Sequence, residues 1–259
     1  MGKLISKIIL SVIFLVQISV FSQGYNIQYD VTYRPKSSSD SLVTEKYVLT
    51  VNSEQRKSLF RFQSAAHNDF NSNIYKDFSA NIFSKYESIL YKFYRTEYQF
   101  SPEWKLLDDV KVILGYSCKK ASILFGGREW VAWYSPEIPF QDGPYKFSGL
   151  PGLILEASLT DRDYIFTAVG IEKSAGSVLP IQAIALENNK KEREFKEQVI
   201  HEPAIQYKQD LLQSGLQVTA SFNGKKSTDK EIIESINSTF KKWMSSHDNP
   251  IEKGMLWIK

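Results

Sequence analysis

The side chains that most often carry acid–base, nucleophilic or metal chemistry are few and scattered in this sequence. Its three histidines, His67, His201 and His247, occur in no H-x-x-x-H, H-E-x-x-H or Cys/His spacing, so neither a zinc site nor a serine–histidine pair is spelled out. Each reads as a surface or hydrogen-bonded histidine. Asp161 and Asp163 form a D-x-D that could offer oxygens to a hard cation, but two acids around Arg162 also suit a hairpin turn, the commoner use. Cys118 is the single thiol, so no intramolecular disulfide can form. A redox or nucleophilic cysteine wants an accessible, electropositive setting. Lys119 and Lys120 supply charge, yet Cys118 shares strand parity with Val112, Leu114 and Tyr116, while Lys111, Ser117 and Lys119 take the other face. That pattern fits a small buried hydrophobe. No G-x-S-x-G, phosphate loop or dinucleotide fingerprint occurs, and Asn237-Ser238-Thr239, a formal glycosylation acceptor, falls inside a helix. The expectation is no catalytic residue, no metal and no cofactor, hence a protein that is not an enzyme.

Chemistry of another kind is concentrated in one segment. Of 35 aromatic residues, 18 lie between Tyr75 and Phe147, so something there needs flat, bulky, amphipathic side chains. Within Trp130 to Glu156, Pro136, Pro139, Pro144 and Pro151 alternate with Gly143, Gly149 and Gly152, locking φ at some points and freeing it at others. Such a loop is built, and Pro151-Gly152 fits the middle of a type II turn. Trp130, Trp133, Tyr134, Phe140, Tyr145, Phe147 and Leu150 then have two uses. They cap one end of a sheet, or they form the lip of a pocket that holds an apolar ligand or an extended peptide.

Charge excludes other partners. Lys and Arg number 32 against 29 Asp and Glu, and two of the lysines, Lys3 and Lys7, lie in a segment expected to be removed. So balanced a chain has no affinity by charge alone for nucleic acid or an anionic membrane. Residues 1–22 read as a secretory signal: two lysines without an acid, an apolar run from Ile8 to Phe21, and Val20-Phe21-Ser22 before Gln23. The run is shorter than the roughly 20 residues of a bilayer span, so no stable membrane span is expected, with a retained anchor as the alternative. No cysteine follows for lipid attachment. The expectation is an exported protein, periplasmic or secreted and not a lipoprotein, with residues 23–259 forming a single domain.

The elements that must position the aromatic segment are mostly strands. Tyr25, Ile27, Tyr29, Val31 and Tyr33 alternate with polar residues in a clean period of two. Further strands are expected at Ser41–Val51, Ser58–Gln63, Tyr91–Phe100, Lys111–Phe125, Arg128–Tyr134, Leu153–Ser158 and Tyr164–Lys173. Gly126-Gly127 and Asp161-Arg162-Asp163 make hairpin turns. Consecutive strands with short links predict an antiparallel sheet. Helices follow: Asn189–His201, Ala204–Ser214, and Asp229–Ser246 with Thr228 and Glu231 at capping-box spacing. The last carries an apolar stripe of Ile232, Ile236, Phe240 and Trp243, with Ile233 and Met244 beside it, which packs on the sheet or docks a partner.

Gly149-Leu150-Pro151-Gly152-Leu153-Ile154 spells G-L-P-G-L-I, and the chain resembles the GLPGLI family of exported bacterial proteins named after it. Gly115-Tyr116-Ser117-Cys118-Lys119-Lys120-Ala121, Ala132-Trp133-Tyr134 to Pro139, Gly143-Pro144-Tyr145-Lys146-Phe147 and Asn249-Pro250-Ile251-Glu252 are also similar to it. The resemblance implies export and carries over no activity and no catalytic residue; Lys253–Lys259 extends past the usual ending. More faintly, the strand run with W-x-x-W-Y-S-P is similar to the lipoprotein carriers of the bacterial envelope, open half-barrels that shelter acyl chains. That likeness implies an α+β fold, mainly antiparallel β, with a curved sheet or half-barrel and C-terminal helices packed on it. Two functions follow: a non-catalytic binding module for an apolar ligand or extended peptide, or a structural partner of an outer-membrane or other envelope protein complex. A concave cavity lined by Trp130, Trp133 and Phe147 would mark the first; a filled core with an exposed flat patch would mark the second.

Overall fold

The computed structural model describes residues 24–63, 70–174, 176–214, 221–222 and 225–258. The expected leader and His67 lie outside the described residues. The strands are β1 (Gly24–Tyr33), β2 (Val43–Asn52), β3 (Lys57–Phe62), β4 (Asn73–Asp77), β5 (Ile82–Ile89), β6 (Lys92–Tyr98) and β7 (Lys105–Ile113). They continue as β8 (Tyr116–Phe125), β9 (Arg128–Ser135), β10 (Leu153–Leu159), β11 (Tyr164–Ser174) and β12 (Ile184–Leu186), with a small separate hairpin of β13 (Ser221–Phe222) and β14 (Lys225–Lys226). The helices are α1 (Asn189–His201), α2 (Ile205–Ser214) and α3 (Asp229–Ser246). The fold is α+β and mainly antiparallel: one open sheet of twelve strands in the order β12-β6-β5-β4-β3-β2-β1-β11-β10-β9-β8-β7, in which only β12 pairs parallel.

Chain length makes this sheet curl. Ten strand spacings separate β6 from β7 in the sheet order, about 48 Å if the sheet were flat. Six residues, Gln99 to Trp104, connect them, and so short a link reaches about 25 Å at most. Ring contacts agree: Phe100, just past β6, meets Phe125 at the end of β8 edge to face at 5.3 Å. The inner face is paved with tyrosine and phenylalanine. Tyr29, Tyr47, Phe60, Tyr164 and Phe166 are fully buried, and their hydroxyls find partners, as Tyr29 donating to the Ile154 carbonyl and Tyr164 to that of Asn249. A phenol suits such a wall because its ring packs while its tip satisfies a backbone acceptor.

The strand pattern departs from expectation at Lys111–Phe125 and at β4 and β5, and the short β12, β13 and β14 lie outside the expected strands. Lys111–Phe125 is two strands, because Leu114 and Gly115 both take positive φ (51° and 83°) and reverse the chain. Cys118 therefore opposes Lys111 across a strand pair. It is buried as expected, but its supposed face-mates Val112 and Leu114 are exposed. Strands β4 and β5 were hidden from periodicity because both of their faces are covered: Lys76, Phe83 and Lys85 point inward, while Tyr75 and Tyr86 pack outward beneath Val178.

The helices fall where propensity puts them. The Thr228–Glu231 capping box forms in full, and Asn188 caps α1 by accepting from Lys191 N–H. Of the α3 stripe, Phe240 is buried, and with Trp243 and Met244 it packs on Ile89, Tyr94, Val199 and Ile258; Ile232, Ile233 and Ile236 stay half-buried. The tail beyond Glu252 has a clear role. Trp257 and Ile258 are buried, with Trp257 against Tyr33, Trp243 and His247.

The sheet ends on one side in the three-residue strand β12 and on the other in β7, an edge with Leu106, Val110 and Val112 exposed by 58%, 62% and 70%. Asp108 and Asp109 interrupt its register with β8, and a charged bulge is a device that blocks edge-to-edge pairing. Deleting Asp108 and Asp109 together is expected to yield concentration-dependent dimers or larger species in sedimentation velocity. A monomer at all concentrations would show that the bulge guards nothing.

Candidate functional site

The proline- and glycine-rich segment forms a plug. Seven consecutive residues, Asp142 to Ser148, are buried, and the chain turns back on itself there, with Asp142 bridged to Ser148 and Gly149 N–H bonded to the Gln141 carbonyl. Tyr145 lies in the left-handed region (φ 52°). This hairpin enters the curl of the sheet and fills it. Phe147 packs on Trp130 at 4.7 Å and on Trp104, Phe125 and Phe166; Tyr145 stacks on Phe166.

Burying a hairpin strands its carbonyls, and a lysine from the sheet meets them. Lys76 on β4 is 0% exposed, and its Nζ donates to Asp142 Oδ1 (2.5 Å), the Gly143 carbonyl (2.9 Å) and the Phe147 carbonyl (3.0 Å). Three donors find three acceptors, one of them anionic, which makes a buried ammonium tolerable. Burial pulls the Lys76 pKa down against the opposing pull of Asp142. At the other end of the plug, Lys146 donates to Glu252 Oε1 at 2.6 Å and lies over the rings of Tyr98, Tyr145 and Phe125. Tyr145 donates to the same carboxylate oxygen.

The exit from the plug is not the expected type II turn. Gly152 N–H bonds to the Leu150 carbonyl two residues back, so Pro151 centres an inverse γ-turn, which its ring geometry favours. Gly152 has φ 150°, and a Cβ there would lie 2.1 Å from the Ser135 carbonyl oxygen. Only glycine fits. Leu153 and Ile154 then start β10 fully buried.

Five of the seven aromatic and apolar candidates are thus inside the molecule: Trp130, Tyr134, Tyr145, Phe147 and Leu150 are buried in the main core. Trp133 is half-buried on the other face of β9, beneath the ammonium groups of Lys111 and Lys120. The cavity imagined between Trp130, Trp133 and Phe147 is therefore occupied by protein. Phe140 differs, since it is half-buried and lines open space.

That space is a groove of about 450 Å³ between the outer side of the plug and the sheet. Phe78, Phe83, Phe100, Phe140, Pro102 and Pro139 supply its apolar surface, and Asn52, Arg56, Lys57, Gln141 and Asp142 its polar groups. Its size is that of a small-molecule site. Asp142 Oδ2 is buried and accepts no hydrogen bond among the described residues. Lys57 pairs with Asp77 at 3.2 Å. Pocket-lining rings at Phe78, Phe83 and Phe100 were missed as site residues because nothing local in sequence joins them to the plug.

A second, polar cavity of about 410 Å³ lies under α1. Lys85 and Lys196 each bridge Glu87 and Glu192 at 2.7–3.0 Å, and all four are buried. For Glu192, burial works to raise the pKa, but Lys85 and Lys196 outweigh it and hold the carboxyl well below the usual range. Glu252 shifts the same way, with Lys146 and the Tyr145 hydroxyl overcoming burial. Asp77 is brought to about 2: burial opposes the shift, and bonds from Ser79, Ala80 N–H and Lys57 produce it. Asp161 and Asp163 serve ion pairs: Asp163 joins Arg34 at 2.8 Å and Arg128 at 2.9 Å, with Asn249 alongside.

A model of a family described as a protein of unknown function, Porph_ging, matches residues 126–156, the stretch from the β8–β9 turn through the plug into β10. No curated protein matches the chain. Among solved structures, PNGF-II in two crystal forms, C2 and P21, is similar, with a TM-score of 0.51 and 17% identity in each. The match covers 66% of this chain and 32% of that one. At such identity the likeness is one of fold, a β-rich framework shared with about a third of a longer chain. His201 is exposed at the end of α1 and His247 is wedged between Trp243 and Trp257, so these two histidines do not meet. Cys118 is buried, and burial pushes its thiol up.

Lys76→Met leaves Asp142 uncompensated and is expected to cost about 3–5 kcal/mol in urea unfolding, with a large part recovered in Lys76→Met/Asp142→Leu; a cost under about 1 kcal/mol would show the pair to be dispensable. Glu192, Glu252 and Asp77 have folded-state pKa values below their unfolded ones. The stability they confer is complete above the unfolded values near 4 and is lost as the pH falls through the folded ones. Unfolding free energy should decline between about pH 5 and pH 2. Glu192→Gln should lower stability at neutral pH and flatten that decline, whereas an unchanged acid slope in this variant would remove Glu192 from the account.

Proposed function

We propose that the chain is exported and that its folded domain is a non-catalytic binding protein of the cell envelope, taking a small apolar ligand in the groove beside the plug. The observation that carries this is the groove itself: four phenyl rings and two prolines line open space beside the packed main core. Apolar surface left open beside a rigid framework is where ligands of this class gain most from leaving water. Export rests on the leader-like residues 1–22. The match over residues 126–156 contains Gly149–Ile154 and supports membership of a GLPGLI-type family.

The exposed apolar side chains of β7, Leu106, Val110 and Val112, favour a second role, as an assembly partner of an outer-membrane or other envelope complex that covers this patch. A photoreactive residue at Val112 in cells would then give a discrete adduct; a smear or nothing would remove this role.

Ligand binding is tested by titration with phenylnaphthylamine, an uncharged fluorescent probe. Saturable binding at one site is expected, weakened about tenfold by Phe78→Ala and by Phe140→Ala. Both rings are half-buried, so thermal unfolding should change little. Binding that is absent, or indifferent to both substitutions, overturns the proposal.

A further inference from the structure

Resting on the groove as a binding site, we infer that its ligand is an anionic amphiphile: a single apolar chain seated on the rings with its carboxylate held by Arg56. The charges that line the groove are otherwise committed. Lys57 is held by Asp77, and Asp142 by the buried Lys76. Arg56 is exposed and has no carboxylate partner among the described residues, so the groove carries one unopposed positive charge. A guanidinium presents a planar fork that matches a carboxylate in bidentate fashion.

The backbone at Arg56 adds an independent observation. Arg56 closes the β2–β3 turn in the left-handed region (φ 52°), with its N–H on the Ser53 carbonyl and its own carbonyl accepting from Phe78 N–H. Glycine or asparagine takes that conformation at lower cost. The turn itself therefore does not call for arginine. The Phe78 bond also fixes the guanidinium's root next to a ring of the groove.

An extended peptide fits less well. Recognition by strand addition needs an open edge, and β2, β3, β4 and β5, which flank the groove, are each paired on both sides. A chain that asks only for rings along its length and a cation at its end suits these walls.

The experiment is calorimetric titration of the whole protein with dodecanoate, dodecanol and dodecylammonium, each below its micellar concentration. Dodecanoate should bind about tenfold more tightly than dodecanol, and dodecylammonium most weakly. Arg56→Gln should bring dodecanoate down to the level of dodecanol, and Arg56→Lys should keep part of the preference. Arg56→Asn should lose it while unfolding at the same temperature or higher, which separates the side chain from the turn. If dodecanol binds the unaltered protein as tightly as dodecanoate, or if Arg56→Gln keeps the preference, the inference is overturned and the apolar groove stands. If none of the three binds, the groove itself fails as a site.

Discussion

A single ammonium group holds the architecture together. Lys76 reaches from the inner face of the sheet into the hairpin that fills it, and its three protons meet one carboxylate oxygen and two carbonyls. Without a cation there, the Gly143 and Phe147 carbonyls would have to be buried without that partner, and a curled sheet of this width would need another way to fill its hollow. With it, the plug becomes part of the core, and Trp130, Tyr145, Phe147 and Phe166 pack as one cluster. The groove follows from the same arrangement, since the outer side of the hairpin is one wall of it.

The remaining inner-face charges repeat this solution at other joints. Lys85, Glu87, Glu192 and Lys196 join α1 to β5, Lys146 and Glu252 join the plug to the C-terminal segment, and Arg34, Arg128 and Asp163 join that segment to the far end of the sheet. Ion pairs of this kind contribute little net free energy compared with apolar packing, but a mispaired arrangement is severely penalised. They act here as registration marks: each fixes which segment lies on which strand. Asn249 and Glu252, two members of the N-P-I-E motif, are used in this way, through Asp163 and Lys146.

Much of this fold is legible in the sequence where one face is wet. Tyr25 to Tyr33 alternates and forms β1; Gly126-Gly127 turns; Thr228 and Glu231 start a helix; the antiparallel order and the C-terminal helices follow. Legibility fails where charge points inward. Lys76, Lys85 and Glu87 look like the solvent face of a strand and are the opposite, so β4 and β5 have no clean period. The site was legible in part. Phe140 belongs to the groove, but its companions Trp130 and Phe147 are core, because an aromatic residue beside proline and glycine has the same local signature whether it lines a pocket or plugs one. Phe78, Phe83 and Arg56 come to the groove through long-range pairing that no short window contains.

Ile251, Trp257 and Ile258 are buried against elements as early as β1, and this bears on when the molecule can fold. Synthesis proceeds from the N-terminus, and a sheet whose neighbours are distant in sequence closes slowly. Until residues 249–258 arrive, Tyr33 lacks its Trp257 neighbour, Lys146 its counter-ion and Arg128 its Asn249 contact. The ring cluster around Tyr33 and the ion pairs at Lys146 and Arg128 therefore close last, which ties completion of the core to the arrival of this segment.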